Sequence, residues 1–432
     1  MKINYLTKLI WAYQGRRNCY GSLLGAGKYQ GNIQLQSYRK CHDEGLRVDK
    51  RRDLDWRNVV SEAEQIVGYP TSFLNLRWLF NDEIANTAIH LRKLVSTNHP
   101  LLKHAKNLLL GSKSNLQSVG LIILLVSKAA GFDCNKYTRD LYHSGVLHSQ
   151  RAVAEIVEMK RTGHLIHKTM CNLQNDDRKS EKFNDLLYGN KIVLLTGDYL
   201  LATCLLQLGG LRNNPVTELI ASGLRDLVEG DFFGNHDAGN TPIPASPKGI
   251  ESKEPYLWEL ENNLEKLGSN KFLGQCKDEW VLRTILTSGS ILGKGCQAAM
   301  KLSEQGPTVE KEAYNLGIHL SLIWQLYLDV KDFFVHPLAY SYVGAPVMFA
   351  LWEYPTIYRH VFDAKMEKRK IDRKDLYYAV KGTRAFEYIT LFLNEELSAI
   401  LKCCDMFPVE DARLAIQKMA LTIQSETLQY ME

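Results

Sequence analysis

The stretch YGNKIVLLTGDYLLA, Tyr188 to Ala202, decides the fold when it is read together with GHLIHKTMCN at 163–172 just upstream. Both overlap runs, Ser149 to Leu173 and Lys191 to Leu208, whose apolar residues recur with helical spacing and which are too long for strands. The same period extends outward. Val59, Val60, Ala63, Ile66 and Val67 form one apolar face, Leu74, Leu76, Leu79 and Phe80 a second, and Ile84, Ala88, Leu91 and Leu94 a third. Leu101 to Leu110, Leu116 to Ala130 and Val216 to Val228 continue the series. Trp280 to Leu302, Val309 to Phe334, Val347 to Phe362, Leu376 to Leu401 and Val409 to Leu428 complete it. Alternating runs of the strand type are nearly absent, and no self-similarity of roughly 20–50 residues points to a solenoid. The expectation is an all-α bundle.

Turn residues punctuate these runs at Asn98-His99-Pro100, Gly131-Phe132-Asp133, Asn213-Asn214-Pro215 and Gly306-Pro307. Each proline can open the next helix, because in the first turn its missing N–H has no intrahelical partner to lose. Between about Gly230 and Asp278 the period fails. There GNHDAGNTPIPASPKG at 234–249 concentrates Gly, Pro, Asn and Ser, which predicts a flexible surface insertion.

A chain of 432 residues, 45% hydrophobic and 23% charged, can bury a large core. Its net charge of +5 is concentrated at the front. Residues 1–42 carry Lys2, Lys8, Arg16, Arg17, Lys28, Arg39 and Lys40 and no acid, with Leu6, Leu9, Ile10 and Trp11 as an apolar face. Without these seven the basic count falls from 53 to 46, against 48 acids, so a nucleic-acid or polybasic membrane role has no support. The composition is that of a mitochondrial transit peptide, the alternative being a disordered basic tail, giving a leader at 1–50 and one domain at 51–432. A secretory signal is disfavoured by the short apolar stretch ahead of Arg16 and Arg17. Val119 to Val126, the best apolar run, falls short of the roughly 20 residues of a membrane span. Nine scattered cysteines without a C-x-x-C indicate neither a zinc module nor a disulfide framework.

The order of helices and motifs from about Trp56 onward resembles the trans (head-to-tail) polyprenyl diphosphate synthases, most closely the non-catalytic members of two-chain enzymes. The Tyr188–Ala202 stretch is the most specific part, similar to the family's G-x-x-x-x-x-L-x-G-D-x-L-L-A run. GIHLSLIWQLYLDVKD at 317–332 resembles the approach to the family's second Asp-rich motif, and FPVEDAR at 407–413 its C-terminal helix start. The resemblance implies an isoprenoid-synthase helical bundle. In active members two D-D-x-x-D motifs hold Mg²⁺ on an allylic diphosphate, because carboxylates three or four residues apart share a helix face and grip a hard cation jointly. The metals draw charge off the leaving diphosphate, and isopentenyl diphosphate attacks the allylic cation.

His167 matches the family's His before the first motif, which puts Lys168, Thr169 and Asn172 where three Asp side chains would stand. None is a carboxylate; the Lys168 ammonium either touches a diphosphate or is structural. Asp176 and Asp177 fall in the following loop and do not restore the motif. In the second motif Leu328, Asp329 and Asp332 occupy the Asp positions. Asp329 and Asp332 are therefore the metal candidates, able to hold one weak Mg²⁺ or to form a salt-bridged face. SKSNLQS at 112–118 replaces a basic acceptor-phosphate clamp, and Thr287 and Ser288 stand where a Lys-Thr pair is expected. Arg178 and Lys179 match an Arg-Arg pair and are the substrate-binding candidates, the alternative being plain surface cations. His164 and His167 lack the further ligands that a metal site needs. Gly163, five residues before Lys168, permits a long product tunnel, because a bulky residue there blocks the growing chain in short-chain members.

What the resemblance implies is a non-catalytic or weakly catalytic subunit of a heteromeric synthase making the ubiquinone side chain in the mitochondrial matrix, with no catalytic residue of its own. The Mg²⁺ would be held mainly by a catalytic partner subunit in a heterotetramer, with no nucleic acid and at most peripheral membrane contact. The alternative is a regulatory or scaffolding protein that keeps the fold without taking part in prenyl transfer.

Overall fold

In the computed structural model the structure describes residues 53–68, 119–168, 170, 181–237, 240–248, 269–366 and 371–431. The leader, the helical runs between 74 and 110, the 112–118 segment, Thr169, Asn172, Asp176, Asp177, Arg178 and Lys179 lie outside these residues.

The chain enters through α1 (Asp53–Val67) and α2 (Val119–Ala130). In α2 every residue except Lys128 is buried, so the run singled out for its apolar character is a core helix. Lys128 reaches back 2.5 Å to the Ile66 carbonyl at the end of α1. A small ribbon, β1 (Tyr142–His143) against β2 (Val146–Leu147), leads into α3 (His148–Lys168). Then come α4 (Glu181–Gly210) and α5 (Asn214–Phe232). As its proline predicts, α5 opens with Pro215 in the first turn, and the Asn213 side chain accepts from the Val216 N–H at 3.1 Å.

The helix α6 (Cys276–Thr284) continues through a π-helical turn, Ile285–Gly289, into α7 (Ser290–Leu302). Pro307 then opens the long α8 (Pro307–Val335). The middle of the bundle is α7, which packs against α2, α3, α5 and α8. At its crossing with α8, a Cβ on Gly317 would lie 2.7 Å from the Gly293 Cα, so glycine on both helices permits the backbones to meet. The outer side of α8 carries α12 (Ala385–Cys404) and α13 (Glu410–Met431).

Three expectations from the sequence need correction. Val347 to Phe362 and Leu376 to Leu401 are each two helices. The first splits into α9 (Ala345–Glu353) and α10 (Arg359–Met366), because Pro355 has no N–H to continue the ladder. The second splits into α11 (Arg373–Lys381) and α12 at Gly382 and Thr383, where the Thr383 hydroxyl accepts from the Ala385 N–H at 3.2 Å. Within the 234–249 segment, β3 (Asn235–His236) pairs with β4 (Pro242–Ile243), and Ile243, Pro244 and Ala245 are buried. Arg283 donates to the Phe233 carbonyl at 2.8 Å and holds the start of this ribbon against α6.

The third correction concerns membrane length. Leu187–Gly210 of α4 spans 24 residues and contains an 18-residue window of mean hydropathy 1.6, 33% of it buried, so by length and composition alone it could cross a membrane. Lys191 and Asp198 interrupt it as a continuous apolar run, which is why only the shorter α2 stretch stands out by eye. One face of α4, carrying Val193, Gly197, Leu200, Cys204 and Leu208, is buried. The opposite face shows Tyr188, Leu195, Tyr199, Ala202 and Leu206 to the exterior, with Leu206 77% exposed. A helix apolar on two faces has more hydrophobic surface than one neighbour can cover.

Candidate functional site

The two stretches that decide the fold form one junction. A Cβ on Gly163 of α3 would stand 3.3 Å from the Gly197 carbonyl oxygen and 3.4 Å from the Leu200 Cβ of α4. Here Gly163 serves close helix packing rather than an open channel. A Cβ on Gly197 would collide with the His167 ring at 2.1 Å, so glycine is required at that position of the L-x-G-D run. The His167 Nε2 lies 3.2 Å from the Leu194 carbonyl and 3.3 Å from the Asp198 carboxylate, stitching α3 to α4.

On the adjoining face of α3, Lys160, His164 and Lys168 recur every four residues and turn toward α5. The Lys168 ammonium is 2.6 Å from one Asp231 oxygen, and His164 Nε2 is 3.2 Å from the other, off the line of a hydrogen bond. Burial pushes the Asp231 carboxyl up, but His164 and the Lys168 charge outweigh it and hold it below the usual range. Where the resemblance expects the first carboxylate, the protein therefore has a partly exposed lysine with its own carboxylate partner. Asp231 was not legible as a site residue, because its two partners are more than sixty residues upstream.

Asp329 and Asp332 share one side of α8, and the structure uses them differently. Asp329 Oδ2 accepts from Trp280 Nε1 and from the Ala345 N–H, both at 2.8 Å, while Oδ1 accepts from Gln325 Nε2 at 2.8 Å. Three of its roughly four acceptor positions are taken. Burial pushes its carboxyl up to about 6, against the pull of those three donors. The carboxylate thus ties α8 to α6 and fastens the first turn of α9. Asp332 is exposed. Among the described residues no group of three or more His, Cys, Asp or Glu side chains converges as a metal centre would need. One carboxylate engaged by protein donors and a cation at the first motif do not fit a Mg²⁺ cluster.

Among the described residues, the other motif positions at 287–288 and 407–413 are likewise engaged by the fold. The Thr287 hydroxyl donates to the Arg283 carbonyl at 2.8 Å and Ser288 to the Thr284 carbonyl at 3.0 Å, both across the π-helical turn. In the 407–413 segment, Phe407 is fully buried and the Val409 N–H donates to the Ala129 carbonyl at 3.0 Å, docking α13 onto α2.

The chain is similar to known proteins along most of its length. No family model matches the chain. It is 34% identical over 388 residues to the human protein named all trans-polyprenyl-diphosphate synthase PDSS2, covering 85% of this chain and 87% of that one. It is 28% identical over 308 residues to the mitochondrial hexaprenyl pyrophosphate synthase of Saccharomyces cerevisiae, covering 65% and 63%. With decaprenyl-diphosphate synthase subunit 1 of Schizosaccharomyces pombe it shares 26% identity over 315 residues, covering 68% and 76%. Among solved structures, geranylgeranyl pyrophosphate synthase from Lactobacillus brevis has the same fold, with a TM-score of 0.52 and 12% identity over 82% of this chain and 99% of that one. The chain is a member of the all-trans polyprenyl diphosphate synthase family.

Proposed function

We propose that this chain is the non-catalytic, or at most weakly catalytic, subunit of a heteromeric all-trans polyprenyl diphosphate synthase. The enzyme would build the ubiquinone side chain from isopentenyl diphosphate and an allylic diphosphate in the mitochondrial matrix. The observation that carries this reading is the Lys168–Asp231 pair, a fixed cation where an active relative would present a metal-binding carboxylate. Mg²⁺, when bound in the enzyme, neutralises the leaving diphosphate, and a catalytic subunit with both Asp-rich motifs would hold it. A metal ion beside the Lys168 ammonium would meet like charge, and at Asp329 it would compete with three protein donors for the carboxylate.

The exposed face of α4 is the surface we assign to that partner. Tyr188, Leu195, Tyr199 and Leu206 line up along more than four turns, as a helical interface requires. Lys191 and Asp198, both exposed on the same helix, favour a protein partner over lipid, where charged side chains are costly. Pairing through this face gives a heterodimer, and two such pairs the heterotetramer expected from the sequence. A relative named as one subunit of decaprenyl-diphosphate synthase supports the two-chain arrangement. Mitochondrial placement rests on the acid-free basic leader at 1–42 and on a relative named as mitochondrial.

The test is reconstitution: the chain alone, the catalytic partner alone and the two co-expressed, assayed with labelled isopentenyl diphosphate, an allylic primer and Mg²⁺. Activity only in the mixture, or well above the partner alone, is the expected result. Turnover by the isolated chain would refute the reading, and a mixture no better than the partner alone would favour a regulatory or scaffolding role.

A further inference from the structure

The structure buries a second set of charges that the motifs do not account for. In the middle of the bundle, Asp226 of α5 accepts on Oδ2 from the Ser290 hydroxyl and from Lys294 Nζ of α7, the latter at 2.5 Å. Its other oxygen is 3.6 Å from the Arg225 guanidinium. Lys160 of α3 donates to the Ile220 carbonyl of α5. Lys160 and Asp226 are each 1% exposed, Ser290 is fully buried and Lys294 is 7% exposed. The stem of Lys294 lies over Gly223, where a Cβ would be 3.5 Å from its Cδ, and so fills the gap between α5 and α7. Burial holds the Lys160 amine down to about 7.

Three helices that surround the centre thus meet through polar groups in a place that apolar side chains would ordinarily fill. A pocket for a hydrocarbon must be lined mainly by apolar atoms, with polar groups confined to one end. A chain threaded here would separate Lys294 and Ser290 from Asp226 and strand Lys160 without water, each an unfavourable exchange. We propose that Lys160, Asp226, Ser290 and Lys294 form a polar plug that bars a long isoprenoid chain from the middle of this bundle. The elongating product then lies outside this chain's interior. The proposal rests on the two-subunit reading and deepens it, since it assigns product accommodation as well as chemistry to the partner.

A benzophenone-bearing allylic diphosphate tests it, photolysed with the isolated full chain and with the co-expressed complex, followed by mapping of the labelled peptides. The expected result is no labelling within residues 153–164, 216–227 and 290–299 in either sample. Labelling of those peptides in the wild-type chain would overturn the plug. In the Lys160→Ala, Asp226→Ala, Lys294→Ala triple variant, label at these peptides should rise by about tenfold or more, since an emptied apolar space admits apolar ligands. A folded triple variant that stays unlabelled would overturn the assignment to these residues. Turnover measured on the same complex keeps the two proposals separate: it can fail to exceed the partner alone while the label map of the isolated chain still decides the plug.

Discussion

The two faces that would oppose each other across a synthase active site have diverged by different routes. On the α3–α5 side a cation stands at the carboxylate position, and the fold has answered it with Asp231. On the α8–α9 side the carboxylate is still present, but Trp280, Gln325 and Ala345 have claimed it. The first side shows its change in the letters of the motif; the second hides it behind a retained Asp. A residue type that survives in a motif therefore says little about its task until its donors and acceptors are counted.

That contrast can be broken by mutation, beginning where charges are buried. Asp226→Ala leaves Lys294 without its carboxylate and should cost about 3–5 kcal/mol of stability, read as a shift of the urea midpoint at unchanged slope. A loss below about 1 kcal/mol would mean that the cluster is hydrated rather than sealed.

Asp329 should follow next. Asp329→Ala orphans the Trp280 indole N–H and the Ala345 N–H and should cost about 2–3 kcal/mol. Asp329→Asn keeps an oxygen for both donors and should stay within about 1 kcal/mol. If Asp329 were instead a metal ligand held open for catalysis, neither variant would destabilise the metal-free protein, and both would abolish activity of the complex.

The same carboxylate sets a pH dependence. Its folded value of about 6 lies above the ordinary 3.8, so between these values the folded state holds a proton that the unfolded state has released. Its contribution is full below 3.8 and is lost as pH rises through about 6, by at most about 3 kcal/mol and less to the extent that solvent reaches it. The gap between the thermal melts of wild type and Asp329→Asn should change across that window, because only the wild type titrates there. Parallel melts would remove Asp329 from the account.

Asp231 titrates with the opposite sign and a smaller effect. Its depressed carboxyl supplies stability above the ordinary Asp range, lost as pH falls through the folded value. Because the Lys168 pair is partly exposed, Lys168→Ala should cost only about 1 kcal/mol and shrink that acid-side loss, His164 remaining beside Asp231.

The helical period, Pro215, Pro307 and the turn at Gly131 made the architecture readable from the sequence, because each acts within a few residues of itself. The break at Pro355 was readable too, but a strong apolar period on both sides masked it. The site was less legible. Asp329 is engaged by Trp280 from 49 residues away and Ala345 from 16, and spacing along one helix cannot report either. Lys160 escaped notice because lysine is rarely buried, so a helical lysine reads as surface. His164, His167 and Gly163 stood out as residues but not in their tasks, which depend on how closely α3 meets α4 and α5. The double-faced character of α4 was present in the letters, interrupted by Lys191 and Asp198.

The central claim is that this chain supplies no metal–diphosphate centre of its own. Titration calorimetry of Mg²⁺ with a non-hydrolysable allylic diphosphate into the isolated full chain tests it directly. The account predicts heats of dilution only, for wild type and for Asp329→Asn with Asp332→Asn alike. A saturable one-to-one isotherm that the double variant loses would contradict it.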